Sequence, residues 1–280
     1  MRLAYLGTPA MSVPTLQALV HAGHDVSLVI TRVDKRRGRG SELSPSPVKA
    51  AAVELGLRVS HTLDDVLAAD VELGVVVAFG QIVKPHVLAR VAMVNLHFSL
   101  LPRWRGAAPV ERALLAGDAE TGVCLMQLEE GLDTGPVYDT VRVPIGARIT
   151  AEQLRANLVS AGTAQLLRCL GTPLGTPVPQ QGEAVYAPKI TAGELRIDWS
   201  RPVAEIDRLI RLGGAWTTFR GKRLKVLAAE LDSRPDSGTD GIEWPVPVLR
   251  LVSVQPEGKG PMTCADFVRG VRPRADELLL

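Results

Sequence analysis

One stretch of the chain, NLHFSLLPRWRGAAP from Asn95 to Pro109, concentrates side chains able to act on a carbonyl. It follows an apolar run, VAMV, that reads as a strand. Residues two apart on a strand face the same side, so Asn95 and His97 project together. Asn95 offers a neutral amide donor that can hold a carbonyl oxygen as charge develops on it. His97 can exchange a proton near neutral pH, since an imidazole has an ordinary pKa of about 6.5. SLLP then turns the chain, and its backbone could edge a pocket. In isolation, a structural Asn and His capping the strand end is the stronger reading.

A second segment changes that balance. EEGLDTGPVYD places Asp133 in a loop bracketed by glycines, between the apolar runs VCLMQLEEG and PVYDTVRVP. A carboxylate there could orient His97 and stabilise its cationic form. Alone, LDTG is an ordinary turn, with Asp suited to local hydrogen bonding. Other chemistries find less support. The first turn, LGTPAM, does not match the GxGxxG of nicotinamide enzymes. No Walker sequence, nucleophile elbow or HExxH is present. His21 and His24 lie three apart on an expected helix, but no carboxylate or cysteine completes a ligand set, so no metal site is expected.

The surrounding elements alternate. RLAYLG, HDVSLVITR, LGVVVAFG and VAMVNLHF read as strands, with helical stretches between them. Ser46-Pro47 has the look of a helix start, with Ser as N-cap and Pro at N1, and Gly56 closes that helix. LGVVVAFG is a near-continuous apolar run around three β-branched valines, as suits a strand buried on both faces of a parallel sheet. This alternation predicts a doubly wound, mostly parallel α/β domain, which places ligands at the carboxyl ends of its strands. A long helix is expected from about Thr150 to Leu170, and then a Pro- and Gly-rich linker. Beyond Arg196 short alternating segments, RLKVLAAEL and VLRLVSV, suggest a small β-rich module.

The chain has 280 residues, 46% hydrophobic and 22% charged, so a packed globular protein is expected. No run approaches the roughly 18 apolar residues of a membrane span, and the N-terminus reads as a strand, not a signal peptide. Cys124, Cys169 and Cys264 are scattered and odd in number, so reduced thiols in the cytoplasm are expected. The net charge of +2 is small, but cations cluster. Arg32, Lys35, Arg36, Arg37 and Arg39 stand against Asp34 alone. Arg208, Arg211, Arg220, Lys222, Arg223 and Lys225 form a second group without an acid. Two such patches suggest a polyanionic partner, and solvated surface is the competing reading of each.

Asn95-x-His97 followed by SLLP, with Asp133 in LDTG, resembles the folate-dependent formyltransferase family. LGTP, GRG before SPSPVK, SLLPRWRGAAP, AGDAETGV, GLDTG, APKI with RIDWS, GAWT and QPEGKGPM follow in order. The similarity runs from about Leu6 to Gly270 and favours the branch of the family that acts on tRNA. The resemblance implies Asn95, His97 and Asp133 as the catalytic set. It implies 10-formyltetrahydrofolate as donor, with Ser99, Leu100, Leu101 and Pro102 lining its pocket, and no metal. It implies initiator methionyl-tRNA as acceptor. Arg39 would be the key arginine of a basic loop from Arg32 to Ser46, helped by Lys35, Arg36 and Arg37, while Lys222 and Arg223 would meet the tRNA elsewhere. Ser41 and Glu42 follow GRG where the family often has lysines.

The same resemblance divides the chain into a Rossmann-like catalytic domain at residues 1–178, a linker at 179–196 and an OB-like tRNA-binding barrel at 197–280. The protein is expected to be a monomer. A formyltransferase for a small amine would share the catalytic set but would not need the basic patches. An inactive RNA-binding relative would keep the patches and lose folate binding.

Overall fold

The computed structural model describes residues 1–36, 43–231, 249–274, 277 and 279. Arg37 and Arg39, both expected to meet tRNA, lie outside the described residues. Contacts divide the chain into two units. The first holds residues 1–110, 120–144 and 154–188, and the second holds 111–119, 145–153 and 189–280.

The first half of the chain runs β1 (Arg2–Gly7), α1 (Val13–His21), β2 (Asp25–Ile30), β3 (Lys35–Arg36), β4 (Leu43–Ser44), α2 (Pro47–Glu54) and β5 (Val59–Ser60). It continues with β6 (Leu73–Val77), α3 (Pro85–Leu88), β7 (Met93–His97), β8 (Arg105–Gly106) and α4 (Pro109–Ala116). Then come β9 (Glu120–Gln127), β10 (Val137–Pro144), α5 (Ala151–Leu170) and β11 (Tyr186–Ala187). Seven strands form one sheet in the order β10-β9-β7-β6-β1-β2-β5. The five strands from β7 to β5 pair in parallel, while β9 and then β10 extend the β7 side through antiparallel pairings. From β1 the chain first builds outward to β5 and then returns to build the other side from β6. Ligands of doubly wound sheets bind near such a reversal.

The local reasons are those of the sequence. All five residues of β6, LGVVV, are buried, as its lack of polar side chains allows. Ala4, Leu6, Leu28, Ile30, Val76 and Met93 pack in one cluster on the sheet. Ser46 caps α2 by accepting the Lys49 N–H at 3.0 Å, with Pro47 at N1. Thr150 and Gln153 cap α5 reciprocally, at 3.0 and 3.2 Å. His24 is not on a helix: α1 ends at His21, and Gly23 takes φ +81 to turn the chain into β2.

The stretch after α5 is better anchored than its Pro and Gly content suggested. Val178 exchanges two backbone hydrogen bonds with Val137, both 2.8 Å, and β11 pairs in parallel with β8. Backbone pairing needs no side-chain periodicity, so the sequence carried no sign of it.

In the second unit, α6 (Val203–Leu212) is followed by β12 (Trp216–Phe219), β13 (Lys222–Leu231), β14 (Leu249–Pro256), β15 (Met262–Thr263) and α7 (Cys264–Val271). The four strands form an antiparallel sheet in chain order. Arg220 and Gly221, at φ 49 and 72, make the tight turn between β12 and β13. Ile206, Ile210, Leu224, Val226, Val254 and Phe267 contribute to the core of this unit.

The acid-free basic stretch does not act as one patch. Arg211 bonds Asp207 at 2.7 Å, Arg208 donates to the Leu115 carbonyl at 3.0 Å, and Arg220 pairs with Glu277 at 2.7 Å. Asp207 lies one helical turn before Arg211, just outside the stretch, while the partners of Arg208 and Arg220 are 93 and 57 residues away, beyond any local count. Lys222, Arg223 and Lys225 stay exposed on β13.

Candidate active site

β7 lies between β6 and β9, with Asn95 opposite Val76 and Met126 and His97 opposite Cys124. Its alternation sends Asn95 and His97 to one face. Asn95 is half-buried, and its amide makes no hydrogen bond among the described residues. His97 is buried. The chain then closes on itself: Ser99, fully buried, donates from Oγ to the Arg103 carbonyl at 2.6 Å, and the Arg103 N–H returns to the Leu100 carbonyl at 3.1 Å. The Leu101–Pro102 peptide is cis, and Leu100, Leu101 and Pro102 are all half-buried.

This turn delivers Trp104 in a left-handed conformation, φ 65, with its carbonyl 2.9 Å from His97 Nε2. A carbonyl only accepts, so Nε2 carries the proton in this contact. Asp133 is also left-handed, φ 53, a region Asp tolerates better than most residues. Its Oδ2 accepts the Gly106 N–H at 2.8 Å and lies 3.6 Å from His97 Nδ1. That separation is longer than a direct hydrogen bond, and the contact becomes an ion pair only when His97 carries a second proton. The side chains of His97 and Asp133 are only 5% and 11% exposed, so little water screens the pair.

Small residues permit these approaches. Gly106 takes φ +118, and a Cβ there would sit 3.0 Å from the Ala187 carbonyl oxygen. A Cβ on Gly122 of β9 would meet Leu100 Cδ2 at 2.5 Å. Cys124, opposite His97, accepts the Leu101 N–H at 3.4 Å, and burial pushes its thiol pKa up. It serves as a small apolar filler behind the SLLP turn.

The structure thus brings Asn95, His97 and Asp133, and the turn from Ser99 to Pro102, to the carboxyl end of β7. Lys35 and Arg36 are exposed on β3. Lys222 and Arg223 belong to the second unit, where the Arg223 guanidinium lies 4.3 Å from the Trp216 ring centre. Sequence reasoning missed Trp104, Gly106 and Gln180. Trp104 and Gly106 act through backbone groups, and Gln180 stood in the expected linker. None of the three carries a signature in its side-chain type. Among the described residues, no cluster of His, Cys, Asp and Glu is arranged to hold a metal ion, and no helix is long and apolar enough to cross a membrane.

The site is thus an Asn–x–His strand end with an acidic loop beside it, at the carboxyl edge of a mixed, mostly parallel sheet. The model of the formyl transferase family matches residues 1–170, and that of the formyl transferase C-terminal domain matches residues 189–272. The chain belongs to the formyl transferase family. It is 42% identical to the methionyl-tRNA formyltransferase of Ruegeria pomeroyi over 294 residues, covering 96% of this chain and 97% of the relative. The enzyme of that name from Clavibacter sepedonicus is also 42% identical, over 297 residues and 97% of each chain. The solved methionyl-tRNA formyltransferase of Clostridium thermocellum shares the fold at a TM-score of 0.67, with 17% identity, 93% of this chain and 100% of that chain covered. A Helicobacter canadensis N-formyltransferase, solved with folinic acid and dTDP-3-aminofucose, aligns at a TM-score of 0.65 and 20% identity, over 83% of this chain and 88% of that chain.

Proposed function

We infer that this chain transfers a formyl group from 10-formyltetrahydrofolate to the α-amino group of initiator methionyl-tRNA, working as a monomer in the cytoplasm. One observation carries the site: a half-buried Asn95 amide without a partner among the described residues shares a strand face with the enclosed His97–Asp133 pair. A free amide beside a protein-held imidazole suits a carbonyl oxygen of the donor, and the half-buried Leu100, Leu101 and Pro102 offer apolar surface for its ring system.

The donor supplies a formyl carbon already bound to a nitrogen that can leave. The bond from the amine to that carbon forms, the bond to the donor nitrogen breaks, the amine loses a proton and the leaving nitrogen gains one. Asn95 donates to the formyl oxygen and strengthens that bond as negative charge grows there. The Trp104 carbonyl fixes the His97 ring, and the Asp133 carboxylate faces the other ring edge. With Nε2 held by Trp104, Nδ1, which makes no direct hydrogen bond to Asp133 at 3.6 Å, is the atom that supports the same oxygen and conveys a proton toward the leaving nitrogen.

Residues 1–178 are the catalytic domain in this reading, 179–196 the connection, and 197–280 an OB-like tRNA-binding module. Arg39, with Lys35, Arg36 and Arg37, meets the acceptor end, and Lys222 and Arg223 meet phosphates.

The deciding assay is formyl transfer from 10-formyltetrahydrofolate to charged initiator tRNA. Asn95→Ala should lower turnover by about 10²–10³-fold, the usual effect of losing one oxyanion donor, with folding intact. His97→Ala should lose at least as much, and Arg39→Ala should weaken transfer to tRNA. Wild-type turnover in Asn95→Ala or His97→Ala overturns the site. An active site that formylates a small amine but not the charged tRNA overturns the acceptor.

A further inference from the structure

The loop that steadies His97 and the loop that carries Asp133 are joined by a residue outside both. Gln180 Nε2 donates to the carbonyls of Asp133 and Gly135, each at 2.8 Å. Its Oε1 accepts from Arg105 Nε at 3.1 Å and from Arg105 Nη2 at 2.6 Å. A primary amide has two N–H groups and one oxygen with two lone pairs, so its whole capacity is used. Arg105 stands between Trp104, whose carbonyl holds His97, and Gly106, whose N–H holds the Asp133 carboxylate. One side chain thereby closes a ring through His97, Trp104, Arg105, Gln180 and Asp133.

We propose that Gln180 is a positioning residue for formyl transfer: it clamps the left-handed Asp133 loop against the segment that orients His97. The proposal rests on reading His97 and Asp133 as the reacting pair. Gln180 bonds to the backbone of one loop and the side chain of the other, so it acts on their spacing. Its own segment does not depend on it, because the two backbone bonds between Val178 and Val137 and the pairing of β11 with β8 hold that segment independently. Losing the amide should therefore loosen the Asp133 loop without unfolding the chain.

Gln180→Glu preserves size and the contact with Arg105 but cannot donate to the two carbonyls. Turnover should fall by about 10²-fold, as a displacement of order 1 Å allows, while KM for donor and tRNA stays within about threefold. Amide exchange at Gly106 should quicken, since its acceptor on Asp133 moves. Gln180→Ala, which adds no charge, should show the same division between kcat and KM.

In an Asp133→Asn background, Gln180→Glu should add little, because both changes act on one unit. Wild-type kcat in both Gln180 variants overturns the proposal. So does a loss confined to KM, or the full Gln180→Glu factor multiplied onto Asp133→Asn. Wild-type turnover in Asp133→Asn alone instead overturns the underlying reading of the pair, independently of Gln180.

Discussion

Gly106→Ala should damage stability and catalysis through one backbone contact. Gly106 adopts φ +118, a conformation that side chains with a Cβ rarely take. Such strain costs about 1–3 kcal/mol when the fold enforces it. The new methyl would also stand 3.0 Å from the Ala187 carbonyl oxygen and 3.5 Å from the Ala187 carbonyl carbon. Ala187 has little freedom to retreat, because its carbonyl accepts from Ala107 at 2.9 Å and from Ala108 at 3.1 Å. Relief therefore requires rotation at residue 106, which swings its N–H away from Asp133 Oδ2, now 2.8 Å distant.

Denaturant unfolding should show a loss of about 1–3 kcal/mol. Single-turnover formyl transfer should slow by about 10²-fold if Asp133 shifts by about 1 Å. A variant as stable as wild type would show that the backbone at 106 is not constrained as described. A destabilised variant with wild-type single-turnover rate would show that the Gly106–Asp133 hydrogen bond does not position the site.

Other expectations are independent of this one. Hydrogen bonds from Arg112 and Thr191 hold the Glu194 carboxyl well below its ordinary value of 4.5, at about 2. A lowered folded value means the ionised pair stabilises above about 4.5 and that its contribution fades as pH falls toward 2. Glu194 is partly solvent-exposed, so Glu194→Gln should cost about 1 kcal/mol or less at pH 7, and the difference from wild type should vanish near pH 2 in denaturant titrations. Cys124 should resist iodoacetamide in the native protein and react after unfolding, because burial raises its thiol pKa and only the thiolate attacks. Peptide mapping of the alkylated protein measures this, and rapid native labelling would contradict the packing of the SLLP turn against β9. Replacing Lys222, Arg223 and Lys225 with Ala should weaken tRNA binding and flatten its salt dependence by about one unit of slope per lost phosphate contact. An unchanged slope would assign those exposed cations to solvent.

What short-range physics controls is legible in the residues alone. The β-branched run of β6 dictated a strand buried on both faces, and Ser46-Pro47 with Gly56 dictated the limits of α2. The period of two along β7 put Asn95 and His97 on one face before any fold was known. Family resemblance supplied Asp133 as their partner, since nothing local in LDTG distinguishes it from an ordinary turn. The groups that complete the site are set by long-range folding. The carbonyl on His97 comes from Trp104, the N–H on Asp133 from Gly106, and the clamp across both loops from Gln180, 47 residues beyond Asp133. Main-chain groups are the same for every residue type, so their placement leaves no mark in composition or spacing. Charge behaves likewise: the stretch from Arg208 to Lys225 holds no acid, yet folding gives Arg208 and Arg220 partners 93 and 57 residues away, leaving Lys222, Arg223 and Lys225 exposed on β13. Pairings across long separations are fixed by the path of the chain, and that path is set by the whole core at once.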